Sequence, residues 1–249
     1  MRLTRVHIDA PLTPDSALQL PPGAAQHLVR VLRLGVGAPL RLFNGRGGEH
    51  AAVIDGVHRD QVTVRVGAHD PVERESPLQV VLLQGLARGE KMDLVLQKAT
   101  ELGVAAIVPV QMARSTVRLD ARQAEAKRRH WQSVVISACE QCGRNAIPEV
   151  SMPQAFGPSL SVAAAHRLIL APDESAQGLA QWLGTAGDLG PGQRIAMLVG
   201  PEGGFDATET SAAAAAGFLT CRLGPRVLRT ETAGLAMLAI LQSMAGDLR

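Results

Sequence analysis

The 249-residue sequence contains no tyrosine, and aromatic residues make up only 2% of it. A chain this poor in rings cannot offer the stacked aromatic platform on which many RNA-binding domains hold unpaired bases. Its core must rest on Leu, Val, Ile and Ala, within an apolar fraction of 46%. Cysteine is scarce too. Three Cys, an odd count, do not describe a disulfide framework, so the expected setting is reducing and cytoplasmic. No segment reaches the roughly 18 consecutive apolar residues of a membrane span. The opening MRLTRVHIDAPL lacks the apolar stretch of a signal peptide. Charge of one sign is missing as well: 25 Lys and Arg face 23 Asp and Glu, for a net +2. A polyanionic partner would therefore have to be met by local clusters.

Polar, proline-bearing HDPVERESPL at residues 69–78 reads as a linker and divides the chain into residues 1–72 and 73–249. Before it, VHI, APLRLF, HAAVI and QVTVRV have strand character, the last alternating at period two. AAQHLVRVLRL between them reads as a short helix. After the linker, strands alternate with helices: LQVVLLQGL, then KMDLVLQKATELG with Met92, Val95, Leu96, Ala99 and Leu102 on one stripe, then AAIVPV. A long helix is expected over about 120–142 and a last one over about 231–244, with RLILAP, RIAMLVG and LTCRLG as buried strands. Asp206 and Glu209 form a helix-start signal. This alternation implies an α/β domain with a mostly parallel sheet covered on both faces.

Two glycine-bearing loops directly follow buried strands: Leu198-Val199-Gly200-Pro201-Glu202-Gly203-Gly204-Phe205, and Leu223-Gly224-Pro225-Arg226-Val227-Leu228-Arg229-Thr230-Glu231-Thr232-Ala233. Ligands of open α/β sheets sit beyond the carboxyl ends of the strands, and glycine lets a backbone approach a ligand closely. Either loop alone also reads as a tight turn. Neither carries a nucleotide-phosphate fingerprint, which removes support from a nucleotidase or a Rossmann dehydrogenase.

LVGPEGGF followed by LGPRVLRTETA resembles the knotted (SPOUT) class of RNA methyltransferases. KMDLVLQKATELGV, ACEQCGRNAIPEV and these two loops, in this order and with HLVRVLRL before them, resemble the bacterial 16S ribosomal RNA uracil-N3 methyltransferase family. The resemblance implies a small N-terminal PUA-like β-barrel domain that helps hold RNA. A SPOUT α/β domain with a C-terminal trefoil knot would follow it. It implies S-adenosylmethionine held by the two loops, through Leu198, Gly200, Pro201, Glu202 and Gly203 of the first. In the second, Leu223, Gly224, Val227, Leu228, Arg229, Thr230, Thr232 and Ala233 would hold it. It also implies 16S ribosomal RNA or the small ribosomal subunit as partner, and a homodimer through the knot.

Methyl transfer to uracil N3 needs that nitrogen aligned and relieved of its proton. Arg229 is the first candidate catalytic residue, as a guanidinium near the uracil carbonyls, with an ion pair to Glu231 or Glu202 as its alternative. Glu202 reads either as attracting the sulfonium or taking the proton, or as a turn residue at a helix start. Thr230 and Thr232 offer hydroxyls to the cofactor or the base, or cap the last helix. For RNA, His27, Arg30 and Arg33 fall at spacing three on the short helix, and Arg2, Arg5, Arg41 and Arg46 can add to that surface. Arg114, Arg118, Arg122, Lys127, Arg128 and Arg129 form a second basic group that also reads as helix surface. The resemblance places Gln141, Arg144 and Asn145 near the active site, with Arg144 expected to meet RNA. Cys139 and Cys142 form C-x-x-C, but a zinc site needs two further ligands and only Cys221 remains. No metal is expected. A non-catalytic RNA-binding or assembly factor, and a knotted methyltransferase acting on tRNA or 23S ribosomal RNA, stay open as rival readings.

Overall fold

The computed structural model describes residues 3–59, 61–173, 176–187 and 189–248. The chain forms two compact units: Met1–Glu75 with Cys139–Ile147, and Ser76–Ala138 with Pro148–Arg249. Among the described residues, no helix is long and apolar enough to cross a membrane.

The first unit holds β1 (Arg5–His7), β2 (Ala17–Gln19), α1 (Pro22–Gln26), β3 (Pro39–Phe43), β4 (Glu49–His58) and β5 (Gln61–Asp70), in one sheet of order β1-β3-β4-β5-β2. The period-two pattern of β5 is realised directly. Val62, Val64 and Val66 are buried beside Ile54, Leu40 and Leu42, while Thr63 and Arg65 face away from that core.

The expected short helix differs from its reading. Only α1 is α-helical; His27–Val31 is a π-helical turn, in which the Leu32 N–H donates to the His27 carbonyl five residues back. Arg33 lies past its end at φ +54°. A spacing of three therefore does not align His27, Arg30 and Arg33 on one helical face, although all three are exposed.

The second unit begins with β6 (Gln79–Gly85), α2 (Glu90–Glu101), β7 (Ala106–Gln111) and α3 (Ala121–Cys142), whose last turn belongs to the first unit. It continues with β8 (Glu149–Val150), β9 (Gln154–Ala155), α4 (Phe156–Ser159), β10 (His166–Leu170), β11 (Gln177–Gly178) and α5 (Leu179–Thr185). Then come β12 (Arg194–Val199), α6 (Ala207–Ala215), β13 (Leu219–Arg222) and α7 (Thr230–Ala245). The sheet runs β11-β13-β10-β12-β6-β7-β8, and its pairings are parallel.

Strand alternation splits the core between two faces. Val81, Leu83, Ala196 and Leu198 cluster with Ala213 of α6, while Leu82 and Val199 meet α7 at Gly234. α2 buries Met92, Val95, Leu96 and Ala99, and Gly103 at φ +81° ends it. α6 opens on the expected box: Asp206 accepts from the Glu209 N–H, and the Glu209 carboxylate accepts from the Asp206 N–H. After β13 the chain returns across the sheet, and α7 packs on β6, β12 and α2. The short elements β2, β8, β9, α4, β11 and α5 were not expected.

Candidate functional site

Because the strands of the second unit are parallel, the ends of β6, β10, β12 and β13 open on one edge, and both glycine loops meet there. They enclose a cavity of about 650 Å³, inside the range of small-molecule sites, roughly 300–1,000 Å³. The first loop contributes Gly200, Pro201, Glu202 and Gly203; the second contributes Val227, Leu228, Arg229, Thr230 and Ala233. Leu223 and Gly224 line a smaller recess of about 70 Å³ that shares Leu228 and Ala233 with the cavity. Two expected residues lie elsewhere. Leu198 is buried inside the sheet core, because strand alternation turns it toward α6. Thr232 is exposed and lines a different groove, on the α7 face it shares with Ala236, Ile240 and Met244, while Glu231 and Ala233 on either side of it face the cavity.

The walls are tied together by a buried hydroxyl. Thr230 Oγ1 donates to the Gly200 carbonyl at 2.6 Å and accepts from Gln84 Nε2 at 2.9 Å. The first turn of α7 is thus bonded to the loop after β12 and to the end of β6. Thr230 was read as a ligand or a cap; here it is a strut between the two loops. Gly85 lets the first loop pass close: a Cβ there would stand 2.5 Å from Pro201 N. Gly204 adopts φ +68°, which a side-chain-bearing residue rarely takes. Gln84 and Gly85 escape sequence reading because neither belongs to a loop motif.

The charges are arranged asymmetrically. Lys91 Nζ lies 3.2 Å from Glu202 Oε1 and 3.8 Å from Glu231 Oε2, bridging two carboxylates of the cavity wall. Burial raises the Glu202 pKa, but its own backbone N–H, that of Arg88 and the Lys91 ammonium outweigh it, so the carboxylate is held below its usual range. Arg229 reaches Glu231 only at 4.0 Å, and its side chain is 81% exposed. The ion-pair alternative for Arg229 is accordingly weak.

Such a cradle suits a cationic adenosyl sulfonium. It offers backbone groups and apolar walls (Leu170, Val199, Val227 and Leu228) for a ring system, with two carboxylates beside them. An RNA methyltransferase domain model matches residues 74–242, and an RNA methyltransferase PUA domain model matches residues 20–67. The chain is 34% identical to the ribosomal RNA small subunit methyltransferase E of Bacillus subtilis, over 90% of this chain and 88% of that one. The chain belongs to this RNA methyltransferase family. Among solved structures, it is similar to the ribosomal RNA small subunit methyltransferase E of Neisseria gonorrhoeae bound to S-adenosylmethionine. The TM-score is 0.91 at 35% identity, with each chain covered in full (100%). A Legionella pneumophila protein with bound S-adenosylmethionine gives a TM-score of 0.93 at 39% identity, covering 99% of this chain and 100% of that one.

The remaining residues of this methyltransferase-family chain sort by burial. His27, Arg30, Arg33, Arg46 and Gln141 are exposed, and Arg2 lies outside the described residues. Arg144 corrects its expectation. It is buried, and its guanidinium grips Glu75, with Nη2 to Oε2 at 2.5 Å and Nε to Oε2 at 3.1 Å, so it is committed inside the first unit. Asn145 is fully buried, accepting from Arg5 Nη2 at 2.7 Å and donating to the Val72 carbonyl at 2.7 Å. Arg5 is likewise buried, paired with Glu49 and donating to the Arg144 carbonyl. These side chains fix the first unit and do not face outward. The Cys139 thiol is pushed far up by its hydrogen bond with Cys142 and by burial. Burial raises Cys221 to about 11. Neither thiol is a ready thiolate.

Proposed function

We propose that this chain transfers the methyl group of S-adenosylmethionine to N3 of a uridine in 16S ribosomal RNA. The observation that carries this reading is the cavity where both glycine loops meet, in a family whose similar solved members hold S-adenosylmethionine. The cofactor would rest against Gly200, Pro201, Gly203, Leu228 and Ala233, with Leu223 and Gly224 at its far end. When bound it supplies an activated methyl carbon on sulfur. Thr230 and Gln84 hold the two loops at a fixed separation. Glu202 and Glu231 set a negative potential on the wall, moderated by Lys91. We assign Glu202 this electrostatic role, its carboxylate being kept ionised by the Arg88 N–H and Lys91. Arg229, exposed at the lip, is the catalytic residue we assign. Its guanidinium stabilises negative charge on the uracil carbonyl oxygens while N3 gives its proton to water and takes the methyl group from sulfur, which leaves as the neutral thioether.

Several further assignments belong to the same proposal. Residues 1–72 act as the RNA-holding PUA domain and residues 73–249 as the knotted catalytic domain. His27, Arg30, Arg33 and Gln141 contact RNA phosphates. The partner is 16S ribosomal RNA, free or in the small subunit, and the enzyme works in the cytoplasm. The exposed apolar groove along α7, with Leu183, Ile240 and Met244, is covered by a second copy in a homodimer. The deciding experiment incubates the protein with labelled S-adenosylmethionine and small subunits lacking the modification, then maps the label. A single N3-methyluridine in 16S ribosomal RNA is the expected result. Heat on titration with the cofactor but label only in tRNA or 23S ribosomal RNA would move the substrate assignment. No cofactor heat at all would leave an RNA-binding factor.

A further inference from the structure

Three guanidinium groups converge on one loop beside the cavity, and none has a carboxylate partner among the described residues. The loop is Met112–Asp120, between β7 and α3. Arg114 Nη1 donates to the Gly203 carbonyl at 3.1 Å, Arg118 Nη2 to the Ala113 carbonyl at 2.8 Å, and Arg88 Nε to Thr116 Oγ1 at 2.8 Å. All three residues are exposed, and Arg114 lines the cavity itself. Each guanidinium spends one N–H on a neutral acceptor, which orients it without cancelling its charge. Its remaining donors, of the five a guanidinium carries, point to no recorded acid. Nearby cations behave differently. Lys91 sits between Glu202 and Glu231, and on α3 both Arg128 and Arg129 pair with Glu125. Three unneutralised charges therefore stand together at one lip of the site.

The loop is fastened at two points, to α6 and to the first glycine loop, and Arg88, from the segment after β6, is fastened at a third. The Ala113 N–H donates to Glu209 Oε1 at 2.7 Å, Arg114 holds Gly203, and the Arg88 N–H donates to Glu202 Oε1 at 3.2 Å. Packing is tight there: a Cβ on Gly203 would stand 2.9 Å from Arg114 Cβ. The three cations are thus held at a fixed offset from the place of methyl transfer.

We propose that Arg88, Arg114 and Arg118 form a phosphate clamp that grips the acceptor RNA strand beside the reacting nucleotide and sets its register over the cavity. Preoriented guanidinium groups are strong phosphate ligands, and such contacts position a strand without reading its sequence. The inference rests on the methyltransferase reading above and adds the surface by which the acceptor is held.

The test uses the full-length protein saturated with S-adenosylmethionine. An unmodified 16S ribosomal RNA transcript is bound over a potassium chloride series, and small subunits lacking the modification serve for turnover. The variants are R88Q, R114Q, R118Q and their triple combination. Each phosphate contact contributes roughly 0.7–0.9 to the slope of log affinity against log salt. The triple variant should therefore show a slope shallower by about 2–3, RNA binding weakened at least 30-fold, and cofactor affinity within twofold of wild type. R128Q, whose charge is already paired with Glu125, should leave the slope unchanged. An unaltered slope in the triple variant, with wild-type protein still methylating small subunits, overturns the clamp alone. So does a loss of RNA binding that tracks an equal loss of cofactor binding, since that is collapse of the loop. Wild-type protein that methylates no RNA overturns the reading beneath it.

Discussion

Replacing Thr230 with valine removes one hydroxyl and keeps the side chain's shape, so it isolates the strut between the two loops. The hydroxyl donates to the Gly200 carbonyl at 2.6 Å and accepts from Gln84 Nε2 at 2.9 Å, with Gln84 fully buried. In Thr230→Val the carbonyl loses this donor, and Gln84 Nε2 keeps only its 3.1 Å bond to the Gly85 carbonyl. Each buried polar group left short of a partner costs about 1–3 kcal/mol. Because the amide keeps one bond, the sum is about 2–4 kcal/mol. For a domain of this size, 1 kcal/mol moves Tm by about 2–4 °C, so Tm should fall by about 5–15 °C. Where the loop loosens without unfolding, the cost appears in binding, and about 1.4 kcal/mol there is a tenfold weaker Kd for S-adenosylmethionine. Thermal melts with and without cofactor, together with calorimetric titration, measure both parts. Thr230→Ser keeps the hydroxyl and should retain most of the affinity. A valine variant that melts within about 1 °C of wild type and binds cofactor normally would refute the strut.

Arg229→Ala should lower kcat by about 10²-fold while the cofactor Kd moves less than threefold; equal losses in both would remove Arg229 from the chemistry. Gly85→Ala places a Cβ 2.5 Å from Pro201 N and 2.8 Å from Pro201 Cδ, an overpacking worth about 1–3 kcal/mol. Cofactor titration should then give little heat, and normal binding would show that the loop yields freely. Glu140→Gln probes pH dependence in the first unit. Burial raises the Glu140 pKa, against the lowering effects of the His7 N–H, His27 and Arg5. A raised acid favours folding when protonated, so its contribution is present below the ordinary glutamate range and is lost as pH rises through the raised value. Glutamine should therefore raise Tm at neutral pH, with a gain that shrinks on acidification; a gain that grows in acid would contradict the sign.

Sequence legibility followed the range of the interactions involved. The capping box at Asp206 and Glu209, the buried stripe of α2 and the alternation in β5 are local, and each reads correctly from spacing. The glycine loops are also local, and they meet because parallel strands end on the same edge. Contacts far apart in sequence were invisible. Gln84 and Thr230 are separated by 146 positions, and Lys91 and Glu202 by 111. The burial of Arg144 was hidden for the same reason: its partner Glu75 lies 69 positions away in what reads as linker. A charged residue beside a motif looks available until its partner is located. The shared helical face read for His27, Arg30 and Arg33 is absent for a different reason: a π-helical turn changes which spacings align.

The near-neutral total of +2 therefore conceals a division of labour. Arg5 and Arg144 are spent inside the first unit on Glu49 and Glu75, and Arg128 is paired along its helix. Lys91 is paired with two acids on the wall of the cavity. Around the cavity, Arg88, Arg114 and Arg118 rest on neutral acceptors, and Arg229 stands at the 4.0 Å limit of its pair. Exposed pairs contribute little to stability, and an exposed arginine bonded only to a carbonyl contributes less charge compensation still. Retention of four such groups around one cavity is economical only if a polyanion completes them. A chain with few aromatic residues has little stacking to offer an acceptor base. Its hold on the strand must then come from the backbone phosphates, which makes the salt dependence of binding, more than its affinity at one ionic strength, the quantity that tests how this site works.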